Sequence, residues 1–197
     1  MSQELYLRLA LACLTAAIYV DRHVIHGRAP SGDAKKTGSG LVEFFVQLTA
    51  GLWALSLVLY IVNLDAFSGV VALPLALRII GVAIMALSGV LSHIVLRSLG
   101  RQLSKRLDAS GHQMLVQEGP YSFVRHPIYA VLFLCATGTC LITSSLVVIA
   151  ATASVVPVFL LRIRHEESLL IERFGDEYRE YRRTTGALAP KFATIFG

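Results

Sequence analysis

Five apolar runs punctuate the chain, and the polar stretches between them differ sharply in length and charge. Residues 5–20 form the first run, with Arg8 near its end. Residues 41–64 form the second, clean apart from Glu43 at its edge, and 70–96 form the third. After a long polar segment come two shorter runs, 128–142 and 146–161, separated by Thr143, Ser144 and Ser145. A helix crossing a bilayer needs about 20 apolar residues, because hydrocarbon offers nothing to satisfy an exposed backbone. The first three runs meet or approach that length. Each of the last two falls short of it, and together they exceed one helix, so they predict a tight helical hairpin in a locally thinned membrane or sunk in the protein. Beyond them, Leu170, Phe174, Tyr178 and Tyr181 recur at helical spacing and predict an amphipathic helix over about 163–183.

Composition agrees with this pattern. Of 197 residues, 55% are hydrophobic and 16% charged, and the mean hydropathy is +0.64. A soluble domain of this length needs more charge to cover its surface. The expected fold is therefore an all-α integral membrane protein with about five transmembrane helices, the last two a short hairpin. The chain reads as a single membrane unit over 1–197, with three helices in 1–97. The net charge of +5 assigns to loops rather than to nucleic acid. Lys and Arg crowd the first and third loops and the tail, and are missing from the second loop and the hairpin turn. By the positive-inside rule the N-terminus lies outside and the C-terminus in the cytoplasm, so the long third loop and the tail share the cytoplasmic face. Cys13, Cys135 and Cys140 lie in apolar runs without metal spacing and read as buried hydrophobes. The N-terminus lacks the pattern of a cleaved signal peptide.

Chemistry concentrates at two places on that face. In "GPYSFVRHPIYA", Gly119 to Ala130, Pro127 suits a first helical turn, where its missing N–H is no loss. His126 is then at the cap, facing the interface, and Tyr129 shares a helical face with it. In "RIRHEESLL", Arg162 to Leu170, Arg162 and Glu166 are four apart on one face, just where the fifth run ends. An intrahelical ion pair is one reading. A bound cation is the other, because unpaired carboxylates at a membrane edge are costly. Arg78 and His93 lie deeper, in the third run; Arg78 is expected to snorkel to an interface and His93 to be structural. No glycine-rich dinucleotide motif, phosphate loop, metal-binding helix motif or serine nucleophile elbow is present.

The stretch "LVQEGPYSFVRHPIY", followed by "RIRHEE" and then by "FGDEYREYRRTTGALAPKF", resembles the isoprenylcysteine carboxyl methyltransferases. It is similar, more widely, to the membrane methyltransferase group that includes phospholipid N-methyltransferases. The resemblance covers roughly residues 99–192 and implies that 98–197 is the methyltransferase core: a cofactor loop, the hairpin and the C-terminal helix. It implies S-adenosylmethionine as cofactor, with S-adenosylhomocysteine as product, held without a Rossmann fold. The implied cofactor residues are Gln113, Met114, Leu115 and Val116, then Tyr121, then His126, Pro127, Ile128 and Tyr129, and finally Glu166. Arg162 corresponds to the arginine that meets the substrate carboxylate, and with Glu166 it forms the implied catalytic pair. The sequence departs from the family at Gln113, where a histidine is usual and His112 stands one place earlier, and at Leu103-Ser104, where Trp-Ser is usual. The implied substrate is a lipidic or prenylated small molecule or protein C-terminus, and access for it is expected between the third run and the hairpin. Two alternatives stay open: a phospholipid amine N-methyltransferase, with His126, Glu167 or His165 as base, and a non-catalytic or reductase-like relative. The oligomeric state is not readable from the sequence.

Overall fold

The computed structural model describes residues 3–26, 40–62, 69, 71–108 and 115–191. Every element of length among them is helical: α1 (Gln3–His26), α2 (Gly40–Ile61), α3 (Leu75–Asp108), α4 (Pro120–Phe123), α5 (Pro127–Thr143), α6 (Leu146–Phe174) and α7 (Asp176–Thr184). Four of these, α1, α2, α3 and α6, are long and apolar enough to cross a membrane, and α5 is a shorter apolar helix. The all-helical membrane bundle expected from the hydropathy pattern is thus the fold, with three differences.

First, α3 starts at Leu75 rather than near 70 and continues through the polar residues to Asp108, 34 residues in all. Pro74 sets its start, its carbonyl accepting from the amides of Leu77 and Arg78. Second, the fifth run is not a short leg. It continues through the charged cluster as α6, 29 residues long, and breaks only at Gly175, whose φ of 55° suits a residue without Cβ. The single tail helix expected over 163–183 is therefore the end of α6 plus a separate α7. Third, the two legs of the hairpin do not pack mainly on each other: α5 lies against α3, and α6 against α2.

Glycine explains the α3–α5 contact. A Cβ on Gly81 would come within 2.9 Å of the Gly138 carbonyl oxygen, and one on Gly138 would come within 2.9 Å of the Gly81 carbonyl oxygen. Lipid tails are as apolar as leucine, so close backbone approach rather than hydrophobic transfer selects such an interface. The α5–α6 turn is tight as well: Ser144 takes a left-handed conformation at φ 52°. The backbone near it is satisfied from the α2–α3 connection, through Val71 N–H to Ser144 O and Leu146 N–H to Gly69 O, both 2.8 Å.

The interior is solid at this far end, where α1, α2, α3, α5 and α6 converge. Leu11, Met85 and Ile142 are fully buried there, with Leu57, Tyr60 and Val148 nearly so. Arg78 has partners on three other helices. Its side chain forms an ion pair with Glu4, which the hydropathy pattern hides at the edge of the first run. It also donates to Tyr60 Oη at 3.1 Å and to Ile142 O at 2.9 Å. Arg8 stacks over the Tyr60 ring at 4.7 Å and donates to the Tyr60 carbonyl. The cluster ties four helices together, with Arg78 mostly buried and Glu4 half in solvent. His93, likewise structural, pairs with Asp21 of α1 across 2.6 Å.

Candidate active site

At the opposite end the short helix α4, the start of α5, the end of α6 and α7 meet. The chain after α7 runs back beside the start of α5: Val124 and Gly186 form an isolated parallel bridge, Arg125 N–H donates to Gly186 O at 2.8 Å, and His126 N–H donates to Ala187 O at 3.0 Å. His126 is the N-cap of α5 and Pro127 its first residue, as the sequence predicts.

The centre of this junction is Arg125, which the sequence reading counted only as a loop charge. Its guanidinium is buried and uses its fork fully. Nη2 and Nε lie 2.6 and 3.0 Å from Glu167 Oε1. Nη1 donates to the carbonyls of Arg182, at 3.2 Å, and Thr185. One side chain thus fixes α5, α6 and the end of α7 in register. Glu167 is correspondingly occupied: Oε1 also faces His126 Nε2 at 3.3 Å, and Oε2 faces Arg182 Nε at 3.5 Å. His126 is 6% exposed, so it points into the junction and not toward the interface. Its ring is placed between the two carboxylates, with Nδ1 3.8 Å from Glu166 Oε2.

Glu166 differs from its neighbour in sequence. Its Oε2 is buried yet accepts no hydrogen bond. A buried carboxylate oxygen without a donor is a site of unmet negative charge. Glu166 and Arg162, one turn apart, both line a cavity of about 490 Å³ enclosed by α2, α5 and α6. Tyr129 and Ile128 face the same cavity, and the Tyr129 ring lies between His126 and Phe159, at centroid distances of 5.8 and 5.6 Å. From this polar mouth the cavity runs between apolar walls. It lies on the α2 side of the hairpin, and on the other side α5 packs closely on α3 at Gly81 and Gly138.

The structure thus brings together His126, Tyr129, Arg162 and Glu166, with Pro127 buried behind them. Tyr121, in α4, is held by its carbonyl, which accepts from the hydroxyl of Tyr181 in α7. Leu115 and Val116 are half-buried in the segment leading to α4. Gln113, Met114 and His112 lie outside the described residues. The sequence reading missed Arg125, Arg182 and the α2 wall. The only signal for Arg125 was its place immediately before His126-Pro127.

Residues 77–177, just over half of the chain, match the phospholipid methyltransferase family. Among curated proteins, the chain is 38% identical over 71 residues to a protein-S-isoprenylcysteine O-methyltransferase of Schizosaccharomyces pombe, covering 36% of this chain and 30% of that protein. It is 33% identical over 137 residues to one of Saccharomyces cerevisiae, covering 65% and 54%. The chain therefore spans about half or less of the length of these relatives. Its fold is similar to that of a eukaryotic intramembrane Ras methyltransferase, isoprenylcysteine carboxyl methyltransferase. The TM-score is 0.55 at 21% identity, over 94% of this chain and 64% of that one. With the sequence match spanning α3 to α7, where the junction and the cavity mouth are built, the chain belongs to the phospholipid methyltransferase family.

Proposed function

We propose that this chain is an S-adenosylmethionine-dependent membrane methyltransferase that esterifies the carboxylate of a lipidic or prenylated acceptor, in the manner of an isoprenylcysteine carboxyl methyltransferase. One observation carries the reading: a guanidinium and a carboxylate with one buried oxygen that accepts no hydrogen bond, Arg162 and Glu166, stand one turn apart at the polar mouth of an apolar cavity. The pair suits an anionic acceptor head and a cationic cofactor, and the cavity behind it suits a hydrocarbon tail.

The residues present fit the cofactor. Glu166 would pair with its cationic part, and Tyr121, His126, Pro127, Ile128 and Tyr129, with the segment 113–116, would hold the rest. When bound, S-adenosylmethionine supplies a methyl group on a sulfonium. The chain's own task is then positioning. A carboxylate is already ionised at neutral pH, so no general base is needed. Arg162 would orient the acceptor with its planar fork, and the apolar walls behind it would limit the water that reaches the bound acceptor. The carboxyl-terminal half, from 98 onward, carries this machinery. The basic third loop and tail support a site on the cytoplasmic face, with the N-terminus outside.

The family's description favours a second reading, methylation of a phospholipid amine. An amine needs a proton acceptor. Glu167, one of the candidate bases, is held by Arg125, His126 and Arg182, which supports the carboxyl reading over the amine.

The test uses purified protein in bilayers with methyl-labelled S-adenosylmethionine, offered a prenylcysteine analogue or phosphatidylethanolamine in separate reactions. Label released from the prenylcysteine as methanol on base treatment is the expected result. Base-stable label on the amine lipid, with none on the prenylcysteine, overturns the carboxyl reading.

A further inference from the structure

The far end of the cavity is closed by a specific contact. Trp53 of α2 donates its indole N–H to Thr152 Oγ1 of α6 at 3.1 Å, and the Cys140 thiol of α5 reaches the same oxygen at 3.4 Å. All three helices that enclose the cavity are thus tied at one level. Trp53 and Thr152 are the deepest lining positions of α2 and α6. Beyond them the interior is solid: Trp53 packs against the cluster containing Leu57, Ile142 and Val148, which are 3%, 0% and 1% exposed. From Thr152 to Arg162 and Glu166 the rise along α6 is about 15 and 21 Å at 1.5 Å per residue.

We propose that the Trp53–Thr152 bridge is a length gauge: it sets the longest hydrocarbon chain that the cavity admits while the acceptor's head stays at Arg162. This rests on the reading above that the cavity receives the acceptor's tail. The hydrogen bonds matter because an indole held by Thr152 cannot swing aside to admit a further carbon unit, whereas an untethered ring on a lipid-facing helix can. An apolar pocket discriminates by length only where its end is rigid, and there each excess methylene meets packed side chains and not space.

Two variants move the gauge in opposite directions. Trp53→Ala removes the floor. Ala50→Phe, one turn nearer the mouth on α2 and facing the open cavity, raises it. Neither residue touches the polar mouth. The probe is a series of S-alkyl-N-acetylcysteines from octyl to eicosyl, with binding read as ligand-induced thermal stabilisation and turnover read separately as base-labile methyl label. Stabilisation of the wild type is expected to grow with chain length and then break off. The break moves to longer chains in Trp53→Ala and to shorter ones in Ala50→Phe, and the ratio of long-chain to short-chain affinity changes by about tenfold or more each way. A break at the same length in all three proteins, no break at all, or no stabilisation at any length overturns the gauge. Stabilisation with a movable break but without methyl label leaves the gauge standing and rejects the carboxyl acceptor. Methyl label with no length dependence does the reverse.

Discussion

Arg125 and Glu167 form the most deeply placed ion pair at the site end, Nη2 to Oε1 at 2.6 Å with both side chains about nine-tenths buried. The pair joins the start of α5 to α6, and the same guanidinium reaches the carbonyls that end α7. Removing one member leaves the other charged and buried, which costs about 3–5 kcal/mol. Glu167→Gln is therefore expected to lower the unfolding midpoint in detergent and to expose 185–191 to limited proteolysis. Arg125→Lys keeps the charge but lacks the fork, and should fall between the two. A Glu167→Gln protein that melts and resists cleavage like the wild type would refute the role assigned to the pair.

Glu166 should behave in the opposite way. Its Oε2 accepts no hydrogen bond and only faces His126 Nδ1 at 3.8 Å, so Glu166→Gln is expected to lower the melting temperature far less than Glu167→Gln while weakening S-adenosylmethionine binding by about tenfold or more, the scale of one charge-assisted contact. Arg162→Ala is expected to raise KM for the acceptor with little change in cofactor affinity. Calorimetric titration of the cofactor and initial rates against acceptor separate the two. The reverse ranking would exchange their assigned partners.

The α3–α5 seam tests the packing. In Gly138→Ala the new methyl would lie 2.9 Å from the Gly81 carbonyl oxygen and 3.0 Å from the Met85 amide nitrogen, both backbone atoms that cannot turn aside. A loss of about 1–3 kcal/mol is expected from such overpacking. Gly51→Ala is the control, since a methyl there meets nothing within 4 Å, and it should be neutral or slightly stabilising. Equal melting temperatures for the two would remove the seam as an explanation of why α5 leaves its hairpin partner.

Far from the site, Arg78 and Glu4 are unequal partners: their side chains are 11% and 48% exposed. Arg78→Ala takes the donor from the Ile142 carbonyl and the cation from Glu4, and leaves Tyr60 Oη its 3.3 Å bond to Glu4; it is expected to cost about 3 kcal/mol, whereas Glu4→Gln, half in solvent and still offering Arg78 an amide oxygen, should cost about 1 kcal/mol. Cofactor affinity should be unaffected in both. Thermal unfolding with a double-mutant cycle reads the coupling, and an Arg78→Ala protein as stable as Glu4→Gln would contradict it.

The helices were legible because hydropathy reports what a membrane selects, the length of an apolar run. So was the cap at His126-Pro127, a local backbone preference. The ends of α3 and α6 were not, because polar residues such as those between Arg97 and Asp108 carry good helix propensity and nothing in them stops a helix. For α6 the stop is Gly175. Pairings between distant positions were the least visible. Arg78 read as a snorkelling charge because its partner, Glu4, is 74 residues away. Glu166 and Glu167 are told apart in the sequence only through the family resemblance, whereas in the fold Glu167 turns to Arg125 and Glu166 to the cavity. Adjacent residues on a helix point about 100° apart, and what each direction meets is decided by tertiary packing.

Tyr178 and Tyr181 of α7 carry the pH dependence of the tail. Burial pushes the Tyr178 phenol up to about 12 from 10.0, and burial raises that of Tyr181 as well. Between these values the folded chain keeps a proton that the unfolded chain has released, so stability falls as pH rises. For Tyr178 the contribution is complete below about pH 10 and lost as pH rises through about 12. Unfolding midpoints in detergent should therefore be flat from neutral pH to about 10 and decline beyond it. The two hydroxyls separate in their variants. Tyr178 is 1% exposed and its hydroxyl has no hydrogen-bond partner, so Tyr178→Phe removes a buried orphan group: it should be neutral or stabilising at pH 7 and make the alkaline decline shallower. Tyr181→Phe also flattens the decline but removes the hydroxyl that donates to the Tyr121 carbonyl, at about 1–2 kcal/mol, and loosens α4 beside the proposed cofactor residues. A wild type whose midpoint does not move above pH 10, or a Tyr178→Phe protein that declines as steeply, would mean that α7 is not seated on the junction through these rings.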